Sequence, residues 1–270
     1  LNDTRLQFPG VGYDMLIGAD AMHWYFLYSF IYGLLFGSFF LVVGFRLPLR
    51  KPFLWERSAC CHCHTPLKFY ELLPVLSYII QRGRSRCCKT HISVLYPFME
   101  LLTGSLYAFC YINIGIKWEL LGALLLVSLL MIVLVSDLKF MVIPNQLLLF
   151  FLPFIILVDN IMLKKPFMDS FIGAAAGFGV VGMMILISNG GMGAGDMKLF
   201  GLLGWMLGMK LVLMTLFLAC TFGAVIGGLL LLTRRIDRRQ PVPFVPYIAI
   251  ATIISYFYGN PLYMWYASFY

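Results

Sequence analysis

Two aspartates carry the first chemical signal in this chain. Asp137 closes an apolar run extending from Leu120 through Ser136 and is followed by Ile143-Pro144-Asn145. Asp196 closes the string Gly190-Gly191-Met192-Gly193-Ala194-Gly195 and opens a second apolar run. An Asp at the centre of a membrane helix costs roughly 2.5–3.5 kcal/mol on insertion scales, so an acid at such depth is a functional candidate by default. Two neighbouring carboxylates cannot both ionise readily; one keeps a proton, and the pair can activate a water while protonating the group it attacks. That is aspartyl acid–base chemistry. Each aspartate alone also has a plainer reading as a span-end acid facing water, and glycine-rich membrane segments also serve helix packing.

The elements that must hold these acids are membrane helices. Hydrophobic residues make up 61% of the 270 positions and charged residues 12%, with a mean hydropathy of +0.88, a balance that excludes an ordinary soluble domain. A span needs roughly 20 apolar residues. Such stretches fall at about 23–45, 94–114, 118–136, 141–158, 167–188, 196–209, 210–233 and 242–258, the sixth being short. The runs are continuous rather than alternating, which excludes a membrane β-barrel. The expectation is an all-α polytopic membrane protein of about eight transmembrane helices with a small cysteine-rich cytoplasmic loop domain.

Charge sets the orientation. The polar segment 46–93 holds nine basic residues (Arg46, Arg50, Lys51, Arg57, Lys68, Arg82, Arg84, Arg86, Lys89) against Glu56 and Glu71, so the positive-inside rule places it in the cytoplasm. The N-terminus then lies outside, and the chain returns inside near Lys139, near 189–196 and at the basic cluster 234–239. Both aspartates fall at cytoplasmic span ends. The net charge of +8 reflects topology and attraction to anionic lipid, not nucleic-acid binding. Residues 1–21 lack a basic n-region before an apolar core and read as an extension; 22–45 is the first span, 46–93 the loop, 94–258 the transmembrane core and 259–270 an aromatic tail.

Cysteine usage points to metal. Cys60, Cys61, Cys63, Cys87 and Cys88 share the loop with His62, His64 and His91, in a compartment that disfavours disulfides. Cys60-x-x-Cys63 has the spacing that presents two thiolates to one zinc, and a second pair some 25 residues on would complete a tetrahedron. Ser85 stands where a C-x-x-C partner of Cys88 belongs. The expected ligands are Cys60, Cys63 and Cys88 with Cys87 or His91 as the fourth; adjacent Cys87 and Cys88 would need a local backbone distortion. Loose cytoplasmic thiols are the alternative.

Gly37-Ser38-Phe39, Arg46-Leu47-Pro48, the Cys60/Cys63 loop, Leu73-Pro74, Tyr96-Pro97 with Glu100 and Thr103, Asp137 with Ile143-Pro144-Asn145, and Gly191-Met192-Gly193-Ala194-Gly195-Asp196-Met197-Lys198 occur in this order. The set resembles the bacterial type IV prepilin peptidases, close to the competence-type leader peptidases, over about residues 30–258. The resemblance implies an intramembrane aspartic endopeptidase of the bacterial cytoplasmic membrane. It implies cleavage of a basic leader from type IV prepilin or pseudopilin precursors for pilus, competence or secretion assembly. Many such enzymes also N-methylate the new N-terminus with S-adenosylmethionine, with the cytoplasmic loop as its seat. Asp137 and Asp196 would be the catalytic pair. Gly193 and Gly195 would let backbone approach the substrate and take φ values closed to other residues, and Pro144 would limit the local helix and open a wet notch. Glu100 is either a helper near the catalytic or methyl-transfer site or a structural hydrogen-bonding group. Lys198 either attracts an acidic position of the precursor or snorkels to the surface. A proton-coupled transporter is the competing class for buried acids.

Overall fold

The computed structural model describes residues 19–52, 59–60, 63, 65–188, 192–233 and 242–268. The extension through residue 18, Cys61, His62, His64, Gly190, Gly191 and the cluster 234–239 lie outside these residues. The described chain forms α1 (Ala19–Arg46), α2 (Leu76–Ile80), α3 (Leu95–Ile114), α4 (Trp118–Phe140), α5 (Asn145–Ile156), α6 (Phe167–Ile187), α7 (Ala194–Leu232) and α8 (Val245–Ala267). A 3₁₀ turn, Phe69–Leu72, precedes α2, and a π-helical turn, Leu157–Met162, prolongs α5. Among the described residues β structure is limited to two isolated bridges in the loop.

Apolar residues on every side of a helix call for burial on every side, and α4 meets that demand. Every residue from Leu126 through Asp137 is buried, enclosed chiefly by α1, α3, α5 and α8. Helices in lipid lack a hydrophobic drive toward one another and associate by close backbone approach at small residues. A Cβ on Gly33 of α1 would lie 2.7 Å from the Gly104 Cα of α3, and one on Gly173 of α6 would lie 2.2 Å from the Gly204 carbonyl oxygen of α7. Glycine is obligatory at both crossings.

Among the described residues five segments are long and apolar enough to cross a membrane by length and composition, Met22–Arg46, Trp118–Phe140, Asn145–Met162, Phe167–Ile187 and Ala194–Leu232; this measure does not confirm the count of eight. The expected spans at 94–114 and 242–258 are helical but fall outside this set, because Glu100 and Asn113 in α3 and the tyrosines of α8 dilute their hydropathy. The expected spans at 196–209 and 210–233 lie within α7, which is not straight. Gly208 has φ 78° and ψ 171°, outside any helical conformation. A Cβ on Gly177 would lie 2.3 Å from the Phe200 carbonyl oxygen and 3.1 Å from Val212 Cγ2, yet twelve residues of unbroken helix rise about 18 Å. The chain therefore folds back at Gly208, and both arms of α7 pack on α6.

These contacts give the bundle two distinct ends. Val135 of α4 meets Gly44 near the end of α1, so Asp137 lies at the same end as Arg46 and the cysteine-rich loop. At the far end, buried Asp159 accepts from Lys165 Nζ at 3.1 Å, and the same ammonium donates to the Met206 carbonyl at 2.9 Å. That carbonyl belongs to the turn before Gly208, where the broken helix leaves acceptors without intrahelical donors. Trp205 Nε1 donates to Asn160 Oδ1 nearby, at 3.1 Å. Asp159 is an intramembrane acid that drew no attention in the sequence; its Lys165 partner gives it a structural role at this end.

Candidate active site

Asp137 lies in the last turn of α4, which stops at Met141 in a left-handed conformation (φ 53°, ψ 38°) whose N–H returns to the Asp137 carbonyl at 2.9 Å. The chain then runs extended through Pro144, the N-cap of α5, with ψ 123°. This leaves Ile143 buried against the glycine motif: a Cβ on Gly195 would sit 2.9 Å from the Ile143 Cβ. Pro144 thus ends one helix-to-helix connection and seats Ile143 on Gly195, joining the two halves of the motif set.

Asp196 occupies the first turn of α7, and its Oδ2 accepts the Gly193 N–H at 3.1 Å. Helix N-termini favour negative charge. Asp137 gains the same kind of support from another element: its Oδ2 accepts the Val245 N–H at 3.0 Å, so the start of α8 is aimed at this carboxylate. Nothing in the sequence singled out that contribution, since backbone amides carry no residue signature; only Pro246 within the first turn of α8 marks a helix start. Both carboxylates are buried and close enough to interact electrostatically.

The glycines act differently from the expectation. Gly193 has an ordinary φ of −76°, and the positive-φ glycines among the described residues are Gly83, Gly115 and Gly208. Space, not an unusual backbone angle, is what Gly193 and Gly195 supply. A Cβ on Gly193 would press to 3.3 Å from the Asp196 Oδ2, and one on Gly195 would collide with Ile143.

The flanking polar residues take separate places. Lys198 Nζ donates to Asn145 Oδ1 at 2.9 Å, a link between the first turns of α7 and α5. Glu100 is buried on α3 and accepts the Val75 N–H at 2.8 Å. That partner belongs to the loop rather than to the aspartates. Val75 has φ 58°, so this carboxylate holds a strained turn of the loop onto the membrane helices.

The loop brings its cysteines together through two similar turns. The Cys60 N–H reaches the Thr65 carbonyl at 2.9 Å and the Ser85 N–H the Thr90 carbonyl at 2.8 Å, inside the bridges Ala59–Pro66 and Arg84–His91. Cys60 matches Ser85, and Cys63 matches Cys88. Ser85 keeps its place in the cluster, its Oγ 3.4 Å from Cys60 Sγ and 3.1 Å from Cys87 Sγ, while Cys87 supplies the fourth sulfur. The Sγ atoms of Cys60, Cys63, Cys87 and Cys88 all lie within 4.8 Å of one another. Zinc with Zn–S bonds of about 2.3 Å holds its sulfurs about 3.8 Å apart, so the four residues fit such an ion. His91 is not part of the group, and Lys89, just past the adjacent pair, is left-handed with φ 55°. The Cys63 thiol at 2.8 Å pushes the Cys87 thiol up to about 12; hydrogen bonds with Thr90 hold Cys88 below the usual thiol range.

Beside the cluster lies an open cavity of about 790 Å³, lined by Tyr70 and Leu73 and by the cations Arg82, Arg84, Arg86 and Lys89, with no acidic side chain in its wall.

The family model described as "Bacterial Peptidase A24 N-terminal domain" matches residues 31–114, and the "Type IV leader peptidase family" model matches residues 124–228. A "Prepilin leader peptidase/N-methyltransferase" of Bacillus subtilis (strain 168) is 41% identical over 237 residues, covering 88% of this chain and 96% of that protein. Proteins of the same name from Aeromonas salmonicida (strain A449), 34% identical with coverage of 93% and 97%, and from Xanthomonas campestris pv. campestris, 32% identical with coverage of 95% and 94%, are also similar. No solved structure matches the chain. With both aspartate segments inside one family model and the cysteine turns inside the other, matched from near one end of the relatives to the other, this chain belongs to the type IV leader peptidase family.

Proposed function

We propose that this protein is an aspartic endopeptidase of the bacterial cytoplasmic membrane that removes the leader from type IV prepilin or pseudopilin precursors, with Asp137 and Asp196 as the catalytic pair. The observation that carries the reading is that two buried aspartates, 59 positions apart in sequence, lie near each other at the end of the bundle that also bears the basic loop. One carboxylate removes a proton from water, whose oxygen attacks the scissile carbonyl carbon; the other, protonated, donates to the carbonyl oxygen. Collapse of the resulting diol breaks the C–N bond, and the amine leaves with a proton from the pair. A backbone amide reaches each carboxylate, Val245 to Asp137 and Gly193 to Asp196, so either can act as base while the other holds the proton. Gly193 and Gly195 let Asp196 and Ile143 close against the start of α7, and the Lys198–Asn145 bond keeps the two helix starts in register.

Zinc fits the four cysteines as a structural ion that ties the two loop turns together, apart from the aspartates. The relatives' names include N-methyltransferase activity, and methylation of the new N-terminus belongs to the same proposal. S-Adenosylmethionine carries a sulfonium cation, and a cavity walled by four cations without a carboxylate does not match that donor. Purified protein mixed with a prepilin precursor, with and without S-adenosylmethionine, and analysed by mass spectrometry tests both activities: leader loss reports cleavage, and a mature product one methyl group heavier reports transfer. Asp137→Asn and Asp196→Asn keep volume and remove the titrating proton, so each is expected to lower cleavage about 100-fold or more with normal membrane insertion. Substantial cleavage by both variants would overturn the mechanism.

A further inference from the structure

The loop carries an apolar surface that none of its described residues cover. α2 has no buried residue, and Leu76, Ile79 and Ile80 are 56%, 63% and 76% exposed. Against this ridge lies the cationic cavity, to which Ile80 and Leu73 also contribute. No carboxylate pairs with Arg82, Arg84, Arg86 or Lys89 among the described residues; Arg86 instead donates to the Tyr70 hydroxyl at 2.6 Å and lies 5.4 Å from that ring's centroid. The Glu71 carboxylate, nearest in sequence, is engaged by the Lys68 N–H at 2.8 Å.

Such a surface is poorly matched to water and well matched to one neighbour. The loop is tethered at both ends to membrane helices, at Arg46 and Leu95, and Glu100 of α3 holds its Val75 turn, immediately before α2, by a direct hydrogen bond. α2 is therefore kept at the edge of the bundle, beside the leaflet that α1 and α3 enter. An apolar ridge flanked by unpaired cations matches the boundary between acyl chains and anionic headgroups. We propose that this face is a binding site for anionic phospholipid of the cytoplasmic leaflet, with the headgroup phosphate in the cavity among Arg82, Arg84, Arg86 and Lys89 and with Leu76, Ile79 and Ile80 in the acyl region. The site is separate from the aspartate pair, and it fastens the cysteine-rich loop to the membrane surface.

The test uses the full chain in detergent micelles, with native mass spectrometry counting retained lipid as phosphatidylglycerol or phosphatidylcholine is added. The expected result is preferential retention of phosphatidylglycerol, weakened about tenfold or more by combined Arg82→Gln, Arg84→Gln and Arg86→Gln. Ile79→Ser with Ile80→Ser should weaken it as well while leaving the cavity's charge intact. Circular dichroism and elution volume matching the parent establish that the variants are folded, and the two independent sets of substitutions guard against one failing to fold. Equal retention of phosphatidylcholine, or unchanged retention in the Arg variant, overturns the proposal. Displacement by millimolar inorganic phosphate with no effect of the Ile substitutions reassigns the cavity to free anions, and displacement by S-adenosylhomocysteine reassigns it to the methyl donor; either outcome overturns the lipid site without bearing on cleavage.

Discussion

Ser85 and Cys87 decide how the loop can hold a metal. In two matching turns the first ligand position is Cys60 in one and Ser85 in the other, and a hydroxyl is a far weaker zinc ligand than a thiolate. Cys87, two residues on, turns its sulfur into the cluster, 2.8 Å from Cys63 and 3.8 Å from Cys88, at the cost of a left-handed Lys89. About one zinc per chain is expected by elemental analysis. It should be lost on Cys60→Ser, Cys63→Ser or Cys87→Ser and retained on His91→Ala. Zinc retained by Cys87→Ser and lost on His91→Ala would make the histidine the fourth ligand. Peptidase activity is expected to outlast metal loss, because the aspartates take their hydrogen bonds from α7 and α8 rather than from the loop.

Two glycines control how the helices fit, by different means. At Gly208 a Cβ would meet nothing within 4 Å, but φ 78° with ψ 171° is a region open essentially to glycine alone, costing other residues about 1–3 kcal/mol. At Gly173 the backbone angle is ordinary and the obstacle is the Gly204 carbonyl oxygen, 2.2 Å from a Cβ, a contact that no side-chain rotation relieves. Gly208→Ala should therefore lower the thermal midpoint in detergent by an amount equivalent to about 1–3 kcal/mol, while Gly173→Ala should do more and separate α6 from α7. An unchanged midpoint for Gly208→Ala would mean that α7 does not fold back there. The sequence contains the Gly173-x-x-x-Gly177 spacing that accompanies close helix crossings, so this contact was open to reading; the reversal at Gly208 was visible only as a place where a short span met a longer one.

The bundle as a whole is polarised. The cysteine-rich loop, both aspartates and the start of α8 share one end, whereas Asp159, Lys165 and the Gly208 turn share the other, and on the proposed orientation the nine basic residues of 46–93 put the first end in the cytoplasm. In a background with the native cysteines replaced, Lys68→Cys should resist a membrane-impermeant thiol reagent in intact cells and react after permeabilisation. Lys164→Cys should react in intact cells. Lys164 serves this purpose better than the adjacent lysine, since Lys165 is held between Asp159 and the Met206 carbonyl. Labelling of Lys68→Cys from outside would invert the orientation and place the aspartates on the wrong side for a leader that has not crossed the membrane.

Composition, charge and short motifs were enough to point to membrane helices, to the catalytic candidates and to the four cysteines with His91 as an alternative to Cys87, because hydropathy and ligand spacing are properties of residues close together in the chain. What the tertiary structure decided are relations between residues far apart. Cys87 rather than His91 completes the cysteine cluster because two distant turns meet in one orientation. Gly193 and Gly195 are small because Asp196 and Ile143 lie against them, not because their φ angles are unusual. The amide of Val245 supports Asp137 from 108 positions away, and backbone N–H groups are the same in every residue but proline. Their role follows only from where α8 begins when it packs on α4.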